Sequence, residues 1–532
     1  MIFARKDALL IGVALLILAS AFMTGCGDTY RPVATPINSS GGDTDNSAVV
    51  AVLNRDSLDY GTLTYIDATG DTNSGNINAG YGVLTAAYDA NRAKVYVTDS
   101  TSDTISVLSS SSTTTLTMTT GTVPTRVFPG AVGYVYSISA SPNTVCPSSG
   151  SVGVIDNSSI ALLYNMCVGS SPAWITYDSL HYRLYVADKV DNKLYVIDTV
   201  TPKVLSYTVA VDAAPVWDVT SLDSNYVYVI SQSAKTVSVV NTTTNAVVNS
   251  YTTGTGIPIK GYLDTKLNRL YVLSQGSDTT QTGTVTAYDA SGLSTLVQLH
   301  APIATGADPV EIAGLADGSR LYVANGTSNT VTQIDTGVFS AVTIPVSDNT
   351  TDRITSVAVS DDSRKVYAPL LTTGDWNNGT MSLLTTYMTS GLSSISAYKS
   401  GFVDAPCQHP INITDMVARD GGTGTLPSGT YYYVVSVIDS TGSESTTLPS
   451  NEVTITVDGS QAPKLTWTAL SEAASYNVYR GTTSGGEKLL VSGLASGTNS
   501  FLDDNSYTQS STAAAVPTGC LRQQPVQAIG WK

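Results

Sequence analysis

The chain has 532 residues, long enough for two domains, and only 13% of them are charged, with 30 Tyr against 6 Phe. Its formal net charge of -16 argues against nucleic acid as a partner, because displacing counterions from a phosphate backbone takes clustered Lys and Arg. Abundant Gly, Ser and Thr beside so much Tyr suits strand-rich surfaces on which a ring packs while its hydroxyl stays wet.

Residues 1–26 read as an export signal: Arg5 and Lys6 precede an apolar run, Ala8 to Phe22, that is short for a membrane span. The run leads into Met23-Thr24-Gly25-Cys26. This tetrapeptide resembles the lipobox of bacterial lipoproteins, which implies lipidation of Cys26 and cleavage before it; an ordinary signal peptide or an uncleaved anchor is the other reading. Gly27 follows the cysteine, which by the same resemblance implies sorting to the outer membrane or cell surface. Residues 27–48 are polar, carry Pro and Gly without periodicity, and read as a flexible tether.

From Val49 onward short strand pairs recur. Leu184 to Asp198, LYVADKVDNKLYVID, holds two apolar triplets around a polar turn, which is hairpin patterning. Similar pairs start at KVYVTD (Lys94), NYVYVI (Asn225), RLYVLS (Arg269), RLYVAN (Arg320) and KVYAPL (Lys365), with divergent copies at VVAVLN (Val49) and GYVYSI (Gly133). The recurring tyrosine falls at Tyr96, Tyr136, Tyr185, Tyr228, Tyr271, Tyr322 and Tyr367, at intervals of 40, 49, 43, 43, 51 and 45. That period, with four short strands per unit, is what a propeller blade requires. Eight copies favour eight blades, with seven as the alternative. Helical solenoids share the period but not the β-branched, alternating runs. The unit is clearest at Val310 to Asp335 and resembles the YVTN-type β-propeller repeat of bacterial and archaeal surface proteins. The resemblance implies an all-β propeller over 49–406 and says little about function, since propellers host binding proteins and enzymes alike.

Most units also carry an inner strand opened by proline, at Pro124, Pro172, Pro215, Pro258 and Pro309. The first unit lacks one, and the tail PVQAIGWK, Pro525 to Lys532, matches the pattern, so residues 521–532 are expected to return and close blade one. PINITDMVA, from Pro410, is the rival segment. Residues 407–520 change character: TYYYVVSVID, KLTWTAL with Trp467, and YNVYRG are alternating strands at sandwich spacing. Gly429 to Asp504 resembles a fibronectin type III-like module, which implies an inserted β-sandwich. Four cysteines remain besides Cys26, an even number that suits disulfides in an exported chain. Three pairings are open; Cys407 with Cys520, which bracket the insert, and Cys146 with Cys167, which flank one strand, are chosen by position, against free buried thiols at the second pair.

No catalytic, metal or cofactor signature appears: His181, His300 and His409 are the only histidines, and Glu311 is the only Glu before the insert. Asp99 with Asp103 and Asp188 with Asp191 could touch Ca²⁺, but hard cations want six or more oxygens, and turn chemistry explains these aspartates better. One set of residues stands out. Two positions after the inner-strand proline come Arg126, Trp174, Trp217, Lys260, Glu311 and Gln527. In a ring of blades they would surround one mouth of the channel, as a ligand-binding site for a glycan or peptide; the competing reading packs both tryptophans between blades. The expectation is a non-enzymatic, lipid-anchored binding or scaffold protein engaging an envelope or extracellular protein or glycan, touching the membrane only through its lipid. The alternative is a propeller hydrolase or lyase acting on a sugar or lactone.

Overall fold

The computed structural model describes residues 49–531 except for 57–59, 68–71, 90–91, 110–111, 119–121, 131–132, 201–204, 279–280, 347–352, 360–364, 372–378, 386–397, 404–412, 421–424, 441, 443, 445–451, 468, 471–472, 510–511 and 517–522. Every named element is a strand. Cys26, Cys407, Cys520 and His409 lie outside the described residues.

Eight small antiparallel sheets, numbered here in chain order, follow one another in a propeller-like arrangement. Sheets 2 to 7 begin at their inner strands, Val83–Asp89, Arg126–Pro129, Pro172–Asp178, Pro215–Thr220, Ile257–Asp264 and Pro309–Gly314. Sheet 8 has Arg353–Ile354 and Ala358–Val359 in that place. Sheet 1 takes its inner strand from the chain's end: Gln523–Trp531 pairs antiparallel with Val49–Asp56, with Trp531 opposite Val49. The inner strands touch in succession, and Gln523–Trp531 touches both sheet 8 and Val83–Asp89.

Side-chain alternation explains why such sheets stack. On the second strand of sheet 4, Arg183–Asp188, Leu184 and Val186 face sheet 3, where they join Ile138, Val152 and Val154. Tyr185, between them, faces the other way and meets Val227 and Val229 of sheet 5. One strand thus feeds two cores because successive side chains leave opposite faces. The seven repeated tyrosines are all fully buried, which corrects the expectation of wet hydroxyls. Tyr96 donates to Asn157 Oδ1 and Tyr228 to the Leu293 carbonyl, while burial pushes the Tyr185 and Tyr322 phenols up to about 12. The hairpin turns use left-handed backbone at Asp103, Asn192, Lys235 and Asn329, and Asp and Asn tolerate that region better than most residues.

The last residue of the second strand is polar yet buried at Asp99, Ser139, Asp188, Ser231 and Asn325, and Asn54, two residues before the end of Val49–Asp56, is buried likewise. Asn325 donates to Thr330 and Thr332, whereas Asp99 accepts from Thr104 and Ser106. At Asp99 burial outweighs those hydroxyls and raises the carboxyl from 3.8 to about 7. A carboxyl raised in the folded state binds its proton more tightly there than in the unfolded chain. Its cost is therefore absent below about pH 4, grows as pH rises, and is complete above about pH 7. Asp99→Asn, which copies sheets 1 and 7, is expected to add about 1–2 kcal/mol at pH 8 and almost nothing at pH 4. Thermal melts at the two pH values check this, and equal shifts would refute it.

Cys146 and Cys167 form a disulfide across a separation of 21 residues, worth about 3 kcal/mol in the chain-entropy model. Beyond sheet 8 lie two further sheets, one of Ile413–Asp420, Gln461–Trp467 and Ser500–Leu502, the other of Val453–Val457, Gly429–Ile438, Ser475–Gly481 and Lys488–Ala495. Both contribute to one core around Trp467, Tyr433, Tyr476 and Phe501. The described part of the rival segment, from Ile413, thus enters this unit.

Candidate functional site

The inner strands share an irregularity that sets the site. Pro172 pairs with Asp188 and Trp174 with Ala187, so Ala173 has no opposite residue. The same skip follows Pro215, Pro258, Pro309 and Pro525. Such a bulge bends the strand and re-aims the next side chain. In each case that side chain belongs to the sequence-predicted set.

Arg126, Trp174, Lys260, Glu311 and Gln527 line one cavity of about 410 Å³, together with Thr85, Phe128, Thr355 and Ser356. The Arg126 guanidinium lies 4.3 Å from the Trp174 ring centroid, and its Nε donates to the Ala173 carbonyl at 3.2 Å. Lys260 Nζ stands 5.7 Å from the same ring and is ion-paired with Glu311 Oε1. Burial pulls the Arg126 pKa down, and the Glu311 carboxylate partly offsets this. Gln527 Oε1 accepts from the Ala86 amide at 2.8 Å, tying sheet 1 to sheet 2.

Trp217 is the exception among the six. Only 5% exposed, it belongs to the wall between sheets 5 and 6 and packs at a tilt against Trp174, with centroids 5.9 Å apart and ring planes at 42°. The reason is Gly261: a Cβ there would stand 2.3 Å from the Trp217 ring, so the missing side chain is the ring's seat. Thr85, Thr355 and Ser356 were missed by the sequence reading because the inner strands of sheets 2 and 8 carry no opening proline; the only available signal was their place in the repeat.

A second cavity, of about 280 Å³, shares Lys260, Glu311 and Gln527 with the first and extends to Tyr262, Ala313 and Val359. The Lys260–Glu311 pair therefore stands where the two cavities meet. Of the aspartates considered for Ca²⁺, Asp188 and Asp191 spend their oxygens locally, and Asp99 gives one of its oxygens to Thr104 and Ser106. Asp188 accepts from the amides of Ser171, Val190 and Asp191, and Asp191 from Ser170 and Tyr195. Among the described residues no group of three or more His, Cys, Asp or Glu side chains could hold a metal. His181 Nδ1 sits 2.8 Å from Asp178 Oδ2, and His300 stacks on Phe339.

No family model matches the chain. No curated protein matches it either. Among solved structures it is similar to a functionally unknown protein from Desulfotomaculum acetoxidans DSM 771, at 13% identity and TM-score 0.44, covering 56% of this chain and 95% of that one. It is also similar to a proposed 6-phosphogluconolactonase from Bacteroides fragilis NCTC 9343, at 12% identity, TM-score 0.45 and coverage of 57% and 95%. A third similar structure is the dihydro-heme d1 dehydrogenase NirN, at 13% identity, TM-score 0.48 and coverage of 66% and 74%. Likeness at this level says nothing about chemistry.

Proposed function

We propose that this protein is an exported, lipid-anchored binding protein of the bacterial envelope, held at the outer membrane or cell surface through Cys26. In this reading the eight sheets are the blades of a YVTN-type propeller and residues 407–520 a fibronectin type III-like insert. The mouth of the channel engages a glycan or protein. The observation that carries the reading is the joint placement of Arg126, Trp174, Lys260 and Glu311 around one cavity. A binding role suits it better than hydrolysis: among the described residues Glu311 is the one carboxylate in that lining, and it is engaged by Lys260.

Chain direction supports the orientation. In this reading the tether joins at Val49, opposite Trp531 at the end of the inner strand, whereas the site residues stand nearer the starts of their inner strands, as Trp174 does in Pro172–Asp178. An anchored molecule would then present its mouth away from the membrane. The pairings of Val403 with Gly379 and of Gln523 with Asp56 support attachment of the insert at the mouth end, where in this reading the sandwich serves as spacer or second binding face.

Two measurements test this. Cys26→Ser is expected to move the protein from the membrane pellet to the soluble fraction; an unchanged pellet removes the anchor. On a glycan and envelope-protein array, Trp174→Ala with Arg126→Ala is expected to weaken binding at least about tenfold, the cost of losing a buried aromatic and Arg anchor. Undiminished binding by that double variant removes the mouth.

A further inference from the structure

We infer that the mouth is built for a carboxylate carried on a sugar, so that its ligand is an acidic saccharide, and that Glu311 stands in for that carboxylate until the ligand arrives. This rests on the binding role proposed above and specifies its chemistry.

The first observation is charge placement. The chain carries 26 Lys and Arg against 42 Asp and Glu, yet the cavity lining holds two cations and one acid. Both cations approach the same indole, Trp174. An indole face steadies a guanidinium without neutralising it.

The second is unused donor capacity. Among the described residues Arg126 spends only Nε on a hydrogen bond. That leaves both terminal amino groups, the part of the fork best suited to a carboxylate. Arg126 is half-buried and lines the cavity, so its terminal amino groups are open to an acceptor arriving there, and the site favours an anion. Glu311 supplies part of that need, because its charge offsets the burial of Arg126 while its Oε1 is held by Lys260 and the Ile312 amide. An incoming carboxylate would take the Arg126 fork and the Lys260 ammonium, and Glu311 would yield its place.

The third concerns the rest of the ligand. Arg126 already covers Trp174, and the ring also meets Trp217, which leaves little room for an apolar peptide anchor. The rest of the lining mixes polar side chains, Thr85, Gln527, Thr355 and Ser356, with apolar ones such as Phe128 and Ile259. A cavity of about 410 Å³ lies low in the small-ligand range of roughly 300–1,000 Å³. Small volume, a partly polar lining and a cationic pair suit one or two units of an acidic saccharide, a longer chain continuing outside the cavity.

The test is calorimetric titration of the full-length protein in detergent with trigalacturonate, with its carboxyl-reduced neutral counterpart, and with an Asp-Gly peptide. Trigalacturonate is expected to bind in preference to the other two. Glu311→Gln is expected to bind it about five- to tenfold more tightly and to leave the neutral sugar unaffected. Arg126→Lys, which keeps the charge but loses the fork, is expected to weaken it at least about tenfold. Melting curves of both variants confirm that they fold. Unchanged trigalacturonate affinity in Glu311→Gln, preference for the peptide, or no binding of any probe overturns the inference. Equal binding of the neutral sugar, lost in Trp174→Ala, overturns it too while leaving the mouth as a binding site.

Discussion

A chain ending at residue 522 is expected to lose its cooperative unfolding transition and to be cut within sheets 1 and 2 under limited proteolysis that spares the full chain. Gln523–Trp531 pairs with the whole of Val49–Asp56 and also lies against sheets 2 and 8. Removing it strips one side of Val49–Asp56 of its backbone partners. Each buried group left unpaired costs about 1–3 kcal/mol, and a few of them consume a net stability of about 5–15 kcal/mol. The truncation also leaves sheets 8 and 2 facing a gap. Gln527→Ala alone loses only the bond to the Ala86 amide and is expected to cost about 1 kcal/mol. A truncated chain that melts within a few degrees of the full one would show that the tail is an accessory strand.

Truncating the two tryptophans should separate stability from binding. Trp217→Ala is expected to cost about 3–5 kcal/mol, since it empties a site enclosed by Gly261 and Ile230 of neighbouring strands. Gly261→Val attacks the same contact from the other side, because its Cβ would stand 2.3 Å from the ring and the wall must shift. Trp174→Ala removes a side chain that lines the cavity, so its stability cost is expected to be less than half as large while its binding loss is the greater. Equilibrium urea unfolding and array binding on the same preparations measure both. Equal stability costs for the two tryptophans would contradict the division into wall and lining.

The strands themselves were legible along the chain. Alternation in RLYVAD and KLYVID is a local property, set by the two-residue period of extended backbone, and the recurring tyrosine marked the repeat before any contact was known. The direction of those tyrosines was not legible: composition suggested wet hydroxyls, and packing against the adjacent sheet buries them. The candidate site shows the same division. The proline marked five bulged strands, but sheets 2 and 8 lack it, so Thr85, Thr355 and Ser356 carried no signal of their own.

Trp174 and Trp217 occupy equivalent places in neighbouring repeats, and nothing in their local sequence separates them. What separates them is a missing side chain 44 positions further on, at Gly261, which seats one ring in the wall while the other stays in the lining. By itself, then, the sequence determined strand pattern and repeat, because backbone alternation acts between near neighbours. The sequence pattern also pointed to the tail as the strand completing sheet 1, but only the tertiary structure decided which side chains line the cavity and which pack in the wall, because those outcomes depend on contacts between distant residues, as Gln527 and Ala86 are.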